Sequence, residues 1–333
     1  MRILHAACLL LGAALFAVLV REVGVDALLR ESARLGWGVL AIVAVEGLAD
    51  LLHTAGWQRC FPEDARPHIR ELWGPHLAGA AVNLVTPTGT LGGEVVRGSL
   101  APRGAGGDGV TASLAVNKLA AALADTALVL AGAAVVLARA PLGGGTRATV
   151  LGASGLLAAG VVGFGVLQRR GQLAALLAAR PVVAHLLGRE RAGRCVEIAA
   201  SIDRRIAALH AAGGAALWDA VACHLVGNAI GALQLHLFFT AVGVPSHLAT
   251  VGTVFLLART IDVIAFLVPG RLGAQEGARM FAMSLVGIAP SLGLLFSLVL
   301  RLEQLVWAGV GFVAYGVLLW QRRSAPGGVE AVR

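Results

Sequence analysis

Long apolar runs constrain the fold of this chain more than any other feature of its sequence. A helix needs about 20 consecutive apolar residues to cross a hydrocarbon core of roughly 30 Å. The composition, 57% hydrophobic and 14% charged residues with a mean hydropathy of +0.80, excludes a water-soluble domain. The sequence therefore predicts an all-α, polytopic membrane helix bundle. Six runs are long enough to span: 3–20, 38–58, 111–138, 149–167, 216–241 and 292–320.

Two further apolar stretches, about 72–96 and 249–289, are interrupted by proline and glycine in their middles. Non-helical backbone at membrane depth is tolerated only where it is buried in protein or lines a cavity. We therefore expect each stretch to form a re-entrant hairpin. This gives about six full spans plus two hairpins, or eight spans if both stretches cross the membrane.

The arginines predict the orientation of the chain. Residues 169–205 carry eight arginines and three acidic residues, and an excess of basic residues marks cytoplasmic loops. Both termini are then cytoplasmic, and we expect the chain in a bacterial inner membrane. Four regions follow: an N-terminal membrane half (1–168), a basic amphipathic helical connection (169–214), a C-terminal membrane half (215–321) and a cytoplasmic tail (322–333).

The basic connection contains an apolar stripe at helical spacing, formed by Ile198, Ile202, Ile206 and Leu209. Such a stripe is typical of an amphipathic helix that lies on the membrane surface. An ordinary cytoplasmic helix packed on the bundle has the same pattern. Both interpretations are open at this point.

One segment of the first half is repeated 182 residues later. The first copy, Pro87–Arg97, reads PTGTLGGEVVR, and the second copy, Pro269–Arg279, reads PGRLGAQEGAR. In both copies proline precedes glutamate by seven residues, Leu-Gly lies between them, and arginine follows glutamate by three. Each copy predicts a loop that breaks a helix at Pro and Gly and restarts it near the glutamate. Glutamate and arginine then share one helical face.

A helix that restarts inside the protein presents free N–H groups and a positive dipole end, which can bind phosphate or carboxylate. In transporters, paired discontinuous helices mark the substrate site. We therefore predict a substrate site at the two motifs, which we expect to be inverted repeats. The alternative is that each Glu–Arg pair is an intrahelical pair at the membrane interface, with the arginine reaching water. The predicted substrate-binding residues are Glu94, Arg97, Glu276, Arg279, Pro87, Pro269, Gly92, Gly273, Asn83, Asn117, Lys118, Arg259, Asp262, Arg301 and Glu303.

Further charged residues lie inside the apolar runs. Glu46, Asp50 and His53 recur at i, i+4 and i+7 and line one helical face, and Asp125 lies in a later run. A charge at the centre of a spanning helix costs about 2.5–3.5 kcal/mol, so such residues face partners or water. These four residues could form a proton relay, or Glu46 and Asp50 could instead pair with arginines of neighbouring helices.

The sequence contains no spacing typical of a metal site. His53, His224 and His236 are not arranged as in an HExxH motif or a comparable one. We therefore predict no metal, no cofactor and no catalytic residue.

At the motif residues the chain resembles a known family. Asn83, Pro87, Leu91–Arg97 and Pro269–Glu276, followed by Arg301-Leu-Glu303, are similar to the flippase-like transmembrane domain of lysylphosphatidylglycerol synthases. Residues 35–40 and 56–62 are similar to stand-alone members associated with hopanoid biosynthesis. The resemblance covers nearly the whole chain and implies lipid translocation or lipid handling. The soluble aminoacyl-transferase domain of the synthases has no counterpart in this sequence, so we do not expect synthase chemistry.

The leading hypothesis is a lipid flippase or transporter that moves a phospholipid, aminoacyl-lipid, glycolipid or hopanoid between leaflets. One alternative is an intramembrane lipid-modifying transferase with Glu94 or Glu276 as general base. Another is a membrane scaffold of a lipid-biosynthesis complex, recruited through the basic connection. The expected partners are a membrane lipid as substrate and lipid-biosynthesis enzymes, and we expect no nucleic acid.

Overall fold

The computed structural model describes residues 35–86, 91–102, 104, 106–139, 143–170, 175, 188–211, 214–245, 247–264 and 274–324. The regular structure of these residues is helical, with no β-strand among them. The predicted span 3–20 lies outside the described residues. The helices, in chain order, are α1 Trp37–Arg59, α2 Ile69–Val85, α3 Leu91–Leu100, α4 Gly107–Arg139, α5 Gly144–Arg169, α6 Arg189–Ala211, α7 Ala215–Ala241, α8 Leu248–Ile264, α9 Ala274–Leu285 and α10 Pro290–Ser324.

Four of these helices, α1, α4, α7 and α10, are long and apolar enough to cross a membrane. They correspond to four of the six predicted full spans. The predicted span 149–167 falls within α5, where the described apolar part is the shorter segment Val150–Gly163. The chain is therefore an all-helical membrane protein, as the composition predicts.

The surface of the helices is also typical of contact with lipid. Leu156 on α5 and Val313 on α10 are among many large apolar side chains that are exposed on the protein surface. Tryptophans lie at helix ends: Trp37 at the start of α1 is 85% exposed, and Trp218 in α7 and Trp320 in α10 are also exposed. Tryptophan is enriched at membrane–water interfaces, where its ring contacts both phases.

Each interrupted stretch forms two helices that pack against each other, α2 with α3 and α8 with α9. We call these pairs hairpin 1 (α2–α3) and hairpin 2 (α8–α9). The intervening residues 87–90 and 265–273 lie outside the described residues. As predicted, the second helix of each hairpin begins near the glutamate, because Glu94 lies in the first turn of α3 and Glu276 in the first turn of α9. Both hairpins pack against α10.

The chain divides into two compact units. Unit 1 is drawn from the ranges Met1–Leu51, Ile69–Ala101 and Ala229–Arg333, and unit 2 from Leu52–His68 and Pro102–Asn228. The units therefore interleave along the sequence. Both hairpins and α10 belong to unit 1, so the two motifs lie in one unit although 182 residues separate them in the sequence.

Helix α6 of the basic connection packs within unit 2, against α4 and α5. Ile206 is fully buried in a core cluster with Val116, and Ile202 packs against the same cluster. The apolar stripe is thus used, at least at these positions, for contact with neighbouring helices. This arrangement favours a helix packed on the bundle. The side chains of Ile198 and Leu209 lie outside the described residues.

Candidate functional site

The N-terminus of α3 is held by a side chain from α2. The backbone N–H of Gly93 donates a hydrogen bond to Asn83 Oδ1 at 2.7 Å, which satisfies one of the free donors of the first turn. A β-carbon at Gly93 would collide with the carbonyl oxygen of Gly79 and with the Asn83 carboxamide. Glycine at this position therefore permits a backbone-to-backbone approach of α2 and α3. The structure gives Asn83, predicted only as a binding residue, the role of a helix cap.

The C-terminus of α3 is held by an arginine of α10. Arg322 donates to the carbonyl oxygens of Ser99 at 2.5 Å and Ala101 at 2.9 Å. A cation at this end also interacts favourably with the helix dipole. Sequence reasoning missed this contact, because an arginine after a long apolar helix looks like an ordinary interfacial residue and its partners lie more than 200 positions away.

Arg97 of the first motif is buried in protein. Its Nη1 lies 3.3 Å from Glu94 Oε1, which is the i,i+3 pair that the spacing predicts. Asp50 of α1 is close enough to interact electrostatically with the same guanidinium, and the Asp50 carboxylate lies 3.3 Å from His76 Nε2 of α2. Because Arg97 is enclosed by these groups, its side chain does not reach out to interfacial water. The interpretation of this motif as an intrahelical pair at the membrane interface is therefore not supported.

The second motif has a different arrangement of ion pairs. Arg279 is buried and donates to Asp262 Oδ2 of α8 at 3.3 Å. Glu276 accepts hydrogen bonds from Arg301 of α10, at 3.3 Å from Nε and 3.2 Å from Nη2. Glu276 also lies near enough to Arg279 for electrostatic attraction. The sequence predicted a pair within α9, whereas these hydrogen-bonding partners come from α8 and α10.

A cavity of 140 Å³ lies beside these ion pairs in unit 1. Three carboxyl groups line it: Glu46 and Asp50 from α1, and Glu303 from α10. Glu46 accepts a hydrogen bond from Gln234 Nε2 of α7 at 3.1 Å. The remaining wall consists of Leu77, Ala80, Ala81, Leu84, Gln304, Trp307 and Ala308.

Electrostatic interactions connect the cavity with the two motifs. Arg259 of α8 acts on Glu46, Arg97 acts on Asp50, and Arg279 acts on Glu303. Each carboxyl group of the cavity is therefore linked to a different arginine. We call the whole set the charged network of unit 1; its described members are Glu46, Asp50, His76, Glu94, Arg97, Arg259, Asp262, Glu276, Arg279, Arg301 and Glu303.

Several other predicted residues belong to unit 2. His224 Nε2 lies 2.8 Å from Asn117 Oδ1, and His224 Nδ1 lies 2.8 Å from His53 Nδ1. Asn228 donates to Asp125 at 3.1 Å. These are hydrogen bonds between helices, as polar side chains in apolar segments predict. Of the four residues predicted as a proton relay, Glu46 and Asp50 thus lie in unit 1, and His53 and Asp125 in unit 2.

The structure describes two of the remaining predicted residues. Lys118 is half-buried in α4 of unit 2, and Gly92 is half-buried in the first turn of α3. Pro87, Pro269 and Gly273 lie outside the described residues. Among the residues that the structure describes, no cluster of His, Cys, Asp and Glu is arranged to hold a metal ion.

Comparison with known proteins agrees with this picture of the chain. Residues 5–311 match the family model described as the lysylphosphatidylglycerol synthase TM region. Searches of curated proteins and of solved structures found no match. The family match contains both motifs and the whole charged network, and it supports a membrane function related to lipid. Because it covers most of the 333 residues, the chain belongs to the family of the lysylphosphatidylglycerol synthase TM region.

Proposed function

We propose that this chain moves a polar-headed lipid between the leaflets of a bacterial inner membrane, with both termini in the cytoplasm. The observation that supports this proposal is the pair of buried arginines, Arg97 and Arg279, each on the second helix of an interrupted stretch. A guanidinium binds phosphate and carboxylate with two parallel hydrogen bonds. The head group would bind at the arginines while the apolar part of the lipid stays in the bilayer.

The ion pairs suggest how a head group could enter without leaving a buried charge uncompensated. Removing one partner of a buried ion pair is costly, because the other charge stays behind in a medium of low dielectric constant. A phosphate that replaces Glu94 at Arg97, or Asp262 at Arg279, exchanges one anionic partner for another. The N-termini of α3 and α9 add dipoles that favour an anion. Lipids with a phosphate or carboxylate therefore suit these positions best.

The same contacts favour transport over the two alternatives. Glu94 and Glu276 each form an ion pair with a guanidinium, at 3.3 Å and 3.2 Å, whereas a general base needs its carboxylate in contact with the substrate proton. A scaffold with the basic connection as its recruiting surface does not require the buried pairs. Lipid-biosynthesis enzymes remain the partners that we propose for such recruitment.

Reconstitution tests the proposal directly. Purified protein is placed in vesicles that contain labelled phospholipid, glycolipid or hopanoid, and the exchange of each label between leaflets is measured against empty vesicles. Wild-type protein is expected to accelerate the exchange of at least the anionic phospholipid, and Arg97→Ala or Arg279→Ala to lower the rate about tenfold, as the loss of 1.4 kcal/mol of binding would. If wild-type protein exchanges every lipid at the rate of empty vesicles, the proposal is wrong.

A matched control is available in unit 2. Arg59 forms a 3.7 Å ion pair with Asp219, and the two side chains are 46% and 54% exposed. Arg59→Ala should exchange lipid at the wild-type rate. The Glu94→Gln/Glu276→Gln double variant separates the alternatives when it is expressed in cells that lack the wild-type protein. If the protein is a scaffold, the variant should still replace the missing protein. If it is a transporter or a transferase, the variant should fail to do so. A transferase would in addition leave a modified lipid that mass spectrometry detects.

A further inference from the structure

Glu303 is the most unusual carboxyl group of the charged network. It lies in α10, it is 5% exposed, and it faces the cavity. Within the part of the chain that the structure describes, its carboxyl oxygens have no donor at hydrogen-bond distance. Buried carboxylates are normally hydrogen-bonded or paired. A buried acid that points into a cavity without such a partner indicates that the cavity receives a positively charged ligand.

The surroundings of Glu303 strengthen this indication. Glu46 and Asp50 of α1 repel its negative charge, and Arg279 of α9 attracts it. Three ionised carboxylates around one cavity repel one another strongly in a medium of low dielectric constant. Binding one proton removes one of the three charges and most of this repulsion.

The groups that face Glu303 and its neighbours come from every element packed around the cavity. His76 of α2 contacts Asp50, and Glu276 of α9 is electrostatically close to Arg279. The described network contains more acids than arginines: Glu46, Asp50, Glu94, Asp262, Glu276 and Glu303 against Arg97, Arg259, Arg279 and Arg301. The six carboxyl groups exceed the four guanidinium groups by two, so proton uptake brings the buried network nearer to neutrality.

The size and chemistry of the cavity fit a proton better than a metal ion. A volume of 140 Å³ has room for several water molecules, each of which occupies about 30 Å³ in the liquid. Water between the carboxyl groups provides a path for protons. The described residues around it are not arranged as a metal-ligand set.

We propose that the cavity is a proton-binding site centred on Glu303, and that proton uptake there removes one of the negative charges that act on Arg279 and so favours binding of the anionic head group of the lipid at this arginine. In this step a hydronium ion of the aqueous phase transfers its proton to a carboxylate oxygen of Glu303, so one O–H bond of the hydronium ion breaks, one O–H bond forms on Glu303, and a water molecule is released. The neutral carboxyl group no longer attracts Arg279. Proton and anionic lipid therefore bind with positive linkage, and a proton gradient drives lipid movement. The coupling of proton uptake to lipid movement rests on the proposed lipid transport, whereas the proton-binding site at Glu303 does not.

Infrared difference spectroscopy tests the proton site without any lipid movement. The full-length protein in vesicles is taken through a pH step, and the carbonyl band of a protonated carboxyl group is recorded. We expect this band in the wild type, its loss in Glu303→Gln and its displacement in Glu303→Asp. Glu63→Gln is the matched control, because Glu63 is 91% exposed and its loss should leave the band unchanged. A band that is identical in wild type, Glu303→Gln and Glu303→Asp overturns the proposal.

Lipid exchange then tests the coupling. Exchange of an anionic phospholipid by the wild type should quicken as the pH falls, by at most about tenfold per pH unit for one linked proton. Glu303→Gln, which imitates the protonated state, should show a flat pH profile. A rate that depends on Na⁺ and not on pH overturns the coupling. If the infrared band depends on Glu303 but the wild type exchanges no lipid, the proton site stands and the proposed transport is wrong.

Discussion

The two hairpins share one sequence motif but are stabilised in different ways. In hairpin 1 the glutamate and arginine of the motif pair with each other, and the closest backbone contact, between Gly79 and Gly93, lies within the hairpin. In hairpin 2 the glutamate pairs with α10 and the arginine with α8. The tight glycine contact of hairpin 2 joins α9 to α10. A β-carbon at Gly293 of α10 would lie 2.7 Å from the Arg279 carbonyl oxygen of α9.

This difference shows that a repeated motif does not fix a repeated set of contacts. The motif ion pair of hairpin 1 lies within one helix, α3, although α10 also contacts this hairpin through Arg322 and Gly311. The charges of hairpin 2 are tied to two other helices, so a change at Arg279 reaches α8 and α10 directly. The i,i+3 spacing makes both arrangements possible, and the neighbouring helices decide between them.

The largest expected effect is the destabilisation caused by Arg279→Ala. Asp262 lies near the C-terminal end of α8, where the helix dipole disfavours a negative charge. Breaking this buried pair is expected to lower the free energy of unfolding by about 3–5 kcal/mol. Arg97→Ala should cost less, because its partner Glu94 lies in the first turn of α3, where the dipole favours a carboxylate.

Unfolding of the purified protein in mixed detergent micelles measures both losses. Asp262→Asn in the Arg279→Ala background should recover part of the stability, since it removes the stranded charge. Equal losses for Arg97→Ala and Arg279→Ala would contradict the comparison between the hairpins.

A smaller effect is expected from Gly93→Ala. Its new methyl group would meet the Gly79 carbonyl oxygen and the Asn83 carboxamide, and overpacking of this kind costs about 1–3 kcal/mol. Gly277 of hairpin 2 provides the control, because a β-carbon there has no atom within 4 Å. Gly277→Ala should be neutral or stabilise α9 by up to about 1 kcal/mol. Similar unfolding curves for the two variants would show that hairpin 1 is not closed by this contact.

The smallest effect is expected from Asn83→Ala, which removes the side chain that caps the N-terminus of α3. Asn83 accepts from the first turn of α3 as an N-cap side chain does, and loss of such an acceptor costs about 0.5–2 kcal/mol. The effect should be local, so hydrogen exchange should quicken for the first amides of α3 and stay unchanged in α9. Asn83→Asp keeps the accepting oxygen and should retain the protection. If the amides of both helices exchange faster in Asn83→Ala, the two hairpins are not independent.

Part of this structure could be predicted from the sequence. The apolar runs predict α1, α4, α7 and α10, because a spanning helix depends only on length and composition. The motif predicts helices that restart near Glu94 and Glu276, and the spacing predicts the Glu94–Arg97 pair. Each of these features depends on residues that are close in the chain.

The rest could not be predicted, because it depends on which helices become neighbours. The sequence predicts Arg301 as a substrate-binding residue, but nothing in it shows that Glu276, 25 residues earlier, is its partner. The cap of α3 by Arg322 joins positions 223 residues apart. Similarly, the convergence of Glu303 with Glu46 and Asp50 in one cavity follows from the packing of α10 in unit 1.

Helix α10 is much longer than a membrane is thick. Its 35 residues extend over roughly 50 Å at about 1.5 Å per residue, against a hydrocarbon core of roughly 30 Å. Its first turns contact α9 through Gly293, and its later turns contact α2 through Gly311. A helix of excess length adapts to bilayer thickness by tilting, so both hairpins follow the tilt of α10. The acyl-chain length of the surrounding lipid is therefore expected to set the tilt of α10 and, through it, the positions of both hairpins.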